Sequence, residues 1–305
     1  CEHAFIYDLP SVLHEGDVLV FNNTKVIKAR VFAKKKTGAR LEVFFLRALR
    51  SDKHWEVLIK PAKRVIQGEI LFISETCSFK VLSKKRDGFF EILFDCSAYD
   101  VMQQYGFVPL PPYMKHSPED SLAYEDAYQS IFAKHQGAVA APTASLHMDE
   151  PLKKAVLDKG ILIEELCLHV GYGTFKPLDE ESIKKDYLHA ERMYIDLETA
   201  QRLSAYKKEG RRIIAVGTTV VRSLESMWQK NAFCSDMDQT HLFIKPGYRF
   251  QAIDGMLTNF HLPKSSLMML VAAFVGLKSL QDAYQCAKES GYQFYSFGDA
   301  MLALK

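Results

Sequence analysis

Residues 211–226 read RRIIAVGTTVVRSLES, and this stretch decides the class of fold. The apolar run 213–216 predicts a buried strand, and a helix is predicted to follow Gly217. A strand that turns directly into a helix is typical of α/β layer structures. The turn leaves N–H groups at the helix N-terminus beside the hydroxyls of Thr218 and Thr219, with Arg222 one turn further on. Such a turn binds a carboxylate or phosphate, although the same residues also make an ordinary N-cap.

Strands and helices alternate through the rest of the second half of the chain. The patterns predict strands at 160–170 and 212–216 and helices at 197–208, 218–230 and 266–277, the last of them buried. Further upstream, residues 97–106 and 122–134 are also predicted to be helical, on either side of a proline-rich stretch. This rhythm predicts a parallel or mixed sheet covered by helices.

Residues 17–94 follow a different pattern. Short apolar runs with period-two alternation are separated by Gly38, Gly68 and Gly88, as in β-hairpins. Many short strands of this kind predict a small barrel or sandwich. The expected fold class is therefore α/β, with a mixed-sheet domain and a small antiparallel β-rich domain.

Basic residues are concentrated in this β-rich part. The whole chain has 39 Lys and Arg against 37 Asp and Glu, a net charge of +2, but residues 25–64 carry thirteen basic side chains and three acidic ones. One interpretation is the solvated face of an ordinary sheet. The other is contact with nucleic-acid phosphates, which makes binding strongly salt-dependent.

No stretch of the sequence predicts a membrane span or a secretory leader. The longest apolar run, residues 267–277, falls short of the ~18 residues that a spanning helix needs. The six cysteines are spread along the chain without a C-x-x-C pair, which favours a reducing, cytoplasmic compartment. Because the chain opens at Cys1 inside an ordered-looking stretch, we expect some N-terminal sequence to be absent.

Two further segments place histidines beside small residues. In LHVGYGTF, His169 precedes Gly171 and Gly173, but a lone G-x-G lacks the third glycine of a dinucleotide-binding fingerprint. In AVAAPTASLHMD, Thr143 and His147 lie in a small-residue loop ahead of a helix that Asp149 is placed to start. Both segments leave room for a ligand, although plain backbone packing explains them as well.

The segment DGMLTNFHLPKSSLMML concentrates Asp254, Thr258, Asn259 and His261 ahead of the predicted buried helix. Polar side chains next to buried elements need hydrogen-bond partners. Structural hydrogen bonding explains any one of them, and the run of several favours a site.

Metal and nucleophile signatures are missing from the sequence. There is no H-E-x-x-H motif, and His189 and Glu191 make only one possible pair of ligands. No G-x-S-x-G elbow occurs, and Cys167, inside an apolar strand, is expected in the core. We therefore expect no metal.

Taken together and in order, these segments resemble one family. AVAAPTASLH, LCLHVGYGTF, RRIIAVGTTVVRSLES, LTNFHLPKSSLMMLV and YSFGDAML are similar to motifs of the S-adenosylmethionine:tRNA ribosyltransferase-isomerases of queuosine biosynthesis. The N-terminal runs GDVLVFNNTKVIKARV, WEVLIKPAKRV and GFVPLPPY match the same family, so the resemblance covers nearly the whole chain. The chain departs from the family's usual motifs at Ser145, Met148, Asp186 and Leu188.

The resemblance implies both an architecture and a reaction. The architecture is a mixed-sheet α/β catalytic domain, residues 1–30 and 106–305, interrupted by a small antiparallel β-barrel at 31–105 that contacts tRNA. The family transfers and isomerises the ribosyl part of S-adenosylmethionine onto 7-aminomethyl-7-deazaguanine at the wobble position of tRNAs with a GUN anticodon. Adenine and methionine leave and epoxyqueuosine-tRNA remains. S-adenosylmethionine is then a co-substrate, and neither a cofactor nor a membrane is expected.

Candidate site residues follow from the motifs that match. The positive sulfur acidifies the neighbouring 5′ carbon, so a modest base suffices, and the candidate catalytic acids and bases are His147, His169 and His261. Thr218 and Thr219 are expected to receive the methionine carboxylate. The remaining substrate-binding candidates are Thr143, Gly171, Gly173, Thr174, Arg222 and Asn259, and the tRNA-binding candidates are Lys60, Lys63 and Arg64.

Two other classes of function stay open at this level. A non-catalytic RNA-binding module accounts for the basic segment but does not require the loops rich in glycine, threonine and histidine. A nucleotide-dependent enzyme of another chemistry accounts for those loops but not for the basic segment.

Overall fold

The computed structural model describes residues 1–85, 88–111, 124–171, 188 and 190–305. The chain divides into two units. The first, which we call the sheet unit, comprises Cys1–Lys25, Gln129–His135 and Ala141–Lys305. The second, the barrel unit, comprises Val26–Tyr128 and Gln136–Ala140.

The secondary structure elements are numbered in chain order. The strands are β1 (Val18–Asn22), β2 (Thr24–Val26), β3 (Arg30–Lys34), β4 (Arg40–Ser51), β5 (His54–Lys60), β6 (Ile70–Phe72), β7 (Ser78–Lys84), β8 (Phe89–Phe94), β9 (His135–Ala138), β10 (Leu162–Leu168), β11 (Glu191–Tyr194), β12 (Ile213–Val216), β13 (Trp228–Gln229), β14 (Ala232–Phe233), β15 (Gln239–Thr240), β16 (Gly255–Asn259) and β17 (Ala300–Leu304). The α-helices are α1 (Leu9–Val12), α2 (Ala98–Tyr105), α3 (Glu150–Asp158), α4 (Leu197–Lys208), α5 (Thr218–Met227), α6 (Ser266–Val275) and α7 (Leu277–Glu289). Short 3₁₀ helices cover Ile6–Asp8, Ala62–Arg64 and Thr143–His147.

The sheet unit is built on a seven-stranded sheet in the order β15-β11-β10-β1-β12-β16-β17. The four central strands, β10, β1, β12 and β16, run parallel, and the outer strands pair antiparallel. Every residue of β1, β12 and β16 is buried, as expected where both faces of a parallel sheet are covered. The predicted mixed α/β sheet is confirmed.

The topology of this sheet has a switch point beside β1. From β1 the chain goes on to β10 on one side of it, and later to β12 on the other side. In open α/β sheets, ligands bind outside the carboxyl ends of the strands at such a point. The end of β1 and the start of α5 are therefore where a site is expected.

Most of the predicted helices form, and capping side chains and glycines explain where they begin and end. α4 matches its predicted range, and the Asp196 side chain caps it by accepting a hydrogen bond from the Thr199 N–H at 2.7 Å. α6 ends at Val275 because Gly276 has φ 85°, and only its residues Leu270, Val271 and Ala272 are buried.

Within the described part of the chain, no single helix is both long enough and apolar enough to cross a membrane. The helices α6 and α7 reach that length and apolar character only when they are counted together, and the angle between them is 111°.

The helix predicted at 122–134 is wrong over its described part. Residues 124–134 form turns, and the N–H of Lys134 donates to the Asn23 carbonyl at 2.8 Å. Phe132 is buried and stacks on Phe21 with 4.1 Å between ring centroids. Core packing and pairing to another segment therefore override the helical pattern.

The barrel unit contains a closed barrel in the order β3-β4-β5-β8-β7-β6, all neighbours antiparallel. Aromatic side chains fill its interior, including Phe45, Trp55, Phe79 and Phe94. The predicted small antiparallel barrel is confirmed. Cys77 and Cys96 lie 19 positions apart in the sequence, and the barrel brings them together as a disulfide with 6.4 Å between their Cα atoms. The spread of the cysteines along the chain does not predict this pairing.

Candidate active site

Four of the sequence motifs meet at one edge of the seven-stranded sheet. Because β10, β1, β12 and β16 are parallel, their carboxyl ends lie at the same edge, which we call the carboxyl edge. Asn22, His169, Gly217 and Asn259 occur at or just after these ends. Asp254 precedes β16 and lies at the opposite edge, where its carboxylate accepts hydrogen bonds from Lys207 Nζ at 2.7 Å and the Ile213 N–H at 2.9 Å. The polar run 254–261 is therefore divided between the two edges.

The turn after β12 has the geometry that the sequence predicts. Gly217 adopts φ 97°, a conformation that favours glycine, and its N–H donates to the Leu257 carbonyl at 2.8 Å. The Val220 and Val221 N–H groups bond back to the Gly217 carbonyl. The N–H groups of Thr218 and Thr219 precede them, so the first turn of α5 offers two donors and two largely buried hydroxyls to an anion.

Asn22, at the end of β1, organises this edge and is a residue that the sequence analysis misses. Its Oδ1 accepts from the N–H groups of Leu168 and Thr24 at 3.0 and 3.1 Å, and its Nδ2 donates to the Leu168 carbonyl at 2.9 Å. The Nδ2 group is also 3.4 Å from Thr219 Oγ1. Asn22 thus ties the end of β10 to the start of α5 across the switch point.

His169 follows β10 and pairs with Thr24, which the sequence analysis also misses. The Thr24 Oγ1 and His169 Nδ1 atoms are 2.8 Å apart. Burial lowers the pKa of His169, and the positive charge of Arg192 and the neighbouring His135 act in the same direction. His169 is therefore a neutral base at neutral pH. Cys167 is buried as predicted, and burial raises the pKa of its thiol to about 11, so it is no thiolate nucleophile.

His147 ends the 3₁₀ helix that starts at Thr143, and Asp149 caps α3 directly after it. Its Nε2 is 3.2 Å from Asn259 Nδ2, which couples the motif at 138–149 to the end of β16. Burial lowers the pKa of His147, whereas the negative charge of Asp299 opposes this shift. Ser145 is fully buried, and its hydroxyl has no hydrogen-bond partner within the described residues.

His261 has a more enclosed environment than the other two histidines. Its Nε2 is 3.0 Å from the buried Thr258 Oγ1, and its backbone N–H donates to Tyr284 Oη at 2.6 Å. Although part of the residue reaches solvent, desolvation of the ring lowers the pKa of His261 to about 4. The ring is therefore uncharged at neutral pH.

Arg222 and Glu191 form a buried ion pair that the sequence analysis does not foresee. Arg222 Nη1 contacts Glu191 Oε2, and both side chains are less than a tenth exposed. Glu191 Oε1 accepts the Gly171 N–H at 3.1 Å, and Arg222 Nε donates to the Leu242 carbonyl at 3.0 Å. The Nη2 group of Arg222 has no hydrogen-bond partner in the part of the chain that the structure describes. The pair holds the first glycine of the GYG segment.

Two predicted substrate-binding residues, Gly173 and Thr174, lie outside the described residues. The candidates that the structure locates in the sheet unit are Thr143, His147, His169, Gly171, Thr218, Thr219, Arg222, Asn259 and His261. All of these follow the carboxyl ends of strands or lie on the segments bonded to them.

In the barrel unit, several basic residues have acidic partners. Lys28, Arg30, Lys35 and Arg47 form ion pairs with Glu125, Glu42, Glu69 and Glu56. The three candidates at the end of β5 differ: Lys60, Lys63 and Arg64 are exposed, and among the described residues none of them has an ion-pair partner. Their charges are therefore available to a polyanion.

One group of residues in the described ranges brings three potential metal ligands together: Cys77, Asp95 and Cys96 of the barrel unit. The two sulfurs belong to the disulfide, and the Asp95 carboxylate already accepts from the Ser78 N–H and Oγ. These donors are thus occupied by the barrel itself.

Comparisons with known proteins show what this chain is similar to. The family model described as queuosine biosynthesis protein matches residues 1–303. An S-adenosylmethionine:tRNA ribosyltransferase-isomerase of Natranaerobius thermophilus is 43% identical over 98% of this chain and 88% of its own length. A crystal structure of the S-adenosylmethionine tRNA ribosyltransferase of Thermotoga maritima is 30% identical, covers 98% of this chain and 86% of that one, and has a TM-score of 0.49.

Proposed function

The chain belongs to the family of queuosine biosynthesis proteins, and we propose that the carboxyl edge of its sheet is the active site of an S-adenosylmethionine:tRNA ribosyltransferase-isomerase. The enzyme transfers the ribosyl part of S-adenosylmethionine to 7-aminomethyl-7-deazaguanine in tRNA and isomerises it, which gives epoxyqueuosine-tRNA, adenine and methionine. The main evidence for this location of the active site is that three separate motifs, around Thr218, His169 and Asn259, meet at the switch point of one sheet.

In this proposal, the start of α5 binds the methionine end of S-adenosylmethionine. The N–H groups and hydroxyls of Thr218 and Thr219 hold the carboxylate, supported by the positive end of the helix dipole. Gly171 lies on the nucleoside side together with Gly173 and Thr174, and Thr143, Arg222 and Asn259 contribute further contacts. S-adenosylmethionine acts as a co-substrate, and the reaction uses no separate cofactor and no metal.

The chemistry starts at the sulfonium. A base removes a proton from the 5′ carbon, and the resulting ylide is stabilised by the positive sulfur. Adenine leaves C1′ with the electron pair of the glycosidic bond and takes up a proton, and the neutral aminomethyl nitrogen of the tRNA base attacks C1′ and loses a proton. The bond between C1′ and the ring oxygen then breaks to give an iminium at C1′ and an alkoxide on C4′, and the electron pair of the ylide forms the bond between C5′ and C1′ that closes the carbocycle. The alkoxide attacks C5′ to form the epoxide and expels methionine as a neutral thioether. The candidates for the proton transfers are His147, His169 and His261, each of which contributes ~10²–10⁴-fold if placed in reach.

The proposal also includes the tRNA partner, the cellular compartment and the division of the chain into domains. The tRNA carries a GUN anticodon, the enzyme works in the cytoplasm, and residues 1–30 and 106–305 form the catalytic part. The barrel at 31–105 contacts the tRNA backbone through Lys60, Lys63 and Arg64, which are exposed cations.

One experiment separates this function from its two rivals. The enzyme is incubated with S-adenosylmethionine labelled in its adenine and with tRNA carrying the 7-deazaguanine base. We expect adenine release that depends on that tRNA. Binding of tRNA without adenine release is the result expected of a non-catalytic RNA-binding module, and adenine release or other turnover independent of tRNA points to a different enzyme. Either result contradicts the proposal.

The substitution Thr218→Val is expected to weaken binding of S-adenosylmethionine by ~10-fold or more. It removes a hydroxyl that donates to a carboxylate, and hydrogen bonds to charged groups contribute ~1.5–3 kcal/mol. Calorimetric titration of both proteins measures the change. Ser226→Ala, near the far end of α5, is the matched control and should bind as the unmodified protein does. Equal affinities of the Thr218→Val and unmodified proteins contradict the carboxylate site.

Reversal of charge at Lys63 and Arg64, by Lys63→Glu and Arg64→Glu together, is expected to weaken tRNA binding and flatten its salt dependence. Each lost phosphate contact lowers the slope of log K against log salt concentration by ~1. Binding is measured at several salt concentrations. Lys208→Glu, an exposed lysine of the sheet unit, serves as control, and an unchanged slope in the double variant excludes these residues from the tRNA contact.

A further inference from the structure

The side chain of Asn259 is held in one orientation by two backbone carbonyls. Its Nδ2 is 3.0 Å from the Tyr295 carbonyl oxygen and 3.4 Å from that of Ser296. A carbonyl oxygen only accepts hydrogen bonds, so the atom facing it must be the amide nitrogen and not Oδ1. Asn259 is 2% exposed, and this enclosure keeps the amide in place.

The orientation of the Asn259 amide determines which ring nitrogen of His147 carries a proton. The same Nδ2 group is 3.2 Å from His147 Nε2. The amide nitrogen has two hydrogens. With one donated to the nearer carbonyl, that of Tyr295, the other is directed at His147 Nε2, which accepts it and therefore carries no proton. A neutral imidazole with an unprotonated Nε2 carries its proton on Nδ1. Within the described residues, Nδ1 has no hydrogen-bond partner, and it is not among the fully enclosed polar atoms.

We infer that His147 is a neutral hydrogen-bond donor, through Nδ1, to the nucleoside part of S-adenosylmethionine, and that Asn259 is the positioning residue that sets this tautomer. The inference rests on the proposed function for the identity of the ligand. It narrows the proposed role of His147, since a ring whose Nε2 accepts from an amide neither takes up a proton there nor gives one up.

The electrostatic environment agrees with a neutral ring. Burial lowers the pKa of His147, and Asp299 is the charged group that acts against this shift. When adenine departs, negative charge develops on its ring nitrogens, and a fixed donor placed there stabilises that charge without transferring a proton.

The tautomer is tested first, on the free enzyme, by NMR of ¹⁵N-labelled histidines near pH 7. We expect a protonated, pyrrole-type shift for His147 Nδ1 and a pyridine-type shift for Nε2, with His147→Ala used to assign the signals. Asn259→Asp replaces the donor by an acceptor and is expected to move the proton to Nε2. A proton on Nε2 in the unmodified enzyme overturns the inference.

The role of the donor is tested by three substitutions of His147. The amide nitrogen of asparagine reaches close to the position of Nδ1, whereas that of glutamine reaches toward Nε2. We expect His147→Asn to keep turnover within ~10-fold, and His147→Ala and His147→Gln to lose ~10²–10³-fold, the effect of removing one fixed donor. Equal losses in all three variants overturn the inference and favour proton transfer.

The tautomer of His147 and the proposed function can be contradicted independently of each other. The NMR signals of the free enzyme do not depend on turnover. If the unmodified enzyme releases no adenine with modified tRNA, the proposed function fails and with it the assignment of the ligand, whatever tautomer is found. If it releases adenine and the tautomer is Nε2–H, only the present inference fails.

Discussion

Replacement of His169 by alanine is expected to slow ribosyl transfer at saturating substrates by ~10²–10⁴-fold, the range for loss of a general base. Among the three candidate histidines, His169 best fits the base. It is only partly buried, its ring is held by Thr24 at 2.8 Å, and its pKa is lowered, so it is unprotonated at neutral pH. Single-turnover measurement of adenine release, with tRNA in excess, reports the loss directly.

The lowered pKa of His169 also sets the pH dependence. A base with a depressed pKa stays unprotonated further into the acid range, so the acid limb of kcat/KM should lie below the ordinary histidine value of about 6.5. Arg192→Gln removes a positive charge that lowers this pKa and should move the limb to higher pH. His14→Ala, at the opposite edge of the sheet, should leave both rate and profile unchanged. Near-normal turnover of His169→Ala would exclude His169 as the base.

Removal of the buried carboxylate by Glu191→Ala is expected to lower the free energy of unfolding by ~3–5 kcal/mol. The substitution leaves the guanidinium of Arg222, whose side chain is 8% exposed, without its counter-charge and takes away the acceptor of the Gly171 N–H. Urea unfolding at pH 7 measures the change. Because Gly171 borders the proposed nucleoside pocket, binding of S-adenosylmethionine should weaken as well.

Two variants check this interpretation of the buried pair. Asp158→Ala breaks a surface pair with Lys154, in which both side chains are more than half exposed, and should cost less than ~1 kcal/mol. The double variant Glu191→Gln with Arg222→Met removes both charges and should recover much of the lost stability. A cost for Glu191→Ala as small as that of the surface variant contradicts the assigned role.

Much of the fold is predictable because its signals are local. The alternation of apolar residues in 30–94 predicts strands with one buried face, and the barrel forms as expected. The run 18–22, which belongs to the same sequence pattern, is buried throughout and lies instead in the seven-stranded sheet. The strand at 213–216 is likewise predictable from its own apolar run, and the start of α4 from the capping residue Asp196. The helix predicted at 122–134 fails because Phe132 is drawn into the core and Lys134 bonds to Asn23, both contacts with residues far away in the sequence.

The candidate site is only partly predictable for a related reason. Glycines and histidines after apolar strands are visible in a sequence, and parallel pairing brings them to one edge. Asn22, Thr24 and Glu191 carry no such signal, because each is defined by what it contacts across the sheet. Asp254 shows the opposite problem, because its position near His261 in the sequence suggests that the two share a site. In the structure β16 lies between them, so they are at opposite edges of the sheet.

A crystal structure of the enzyme with S-adenosylmethionine bound tests the proposed site directly. We expect the ligand to occupy the carboxyl edge of the sheet, with its carboxylate on the N–H groups of Thr218 and Thr219 and its nucleoside near Gly171 and His147. A ligand bound elsewhere, with this edge left empty, contradicts the proposed site.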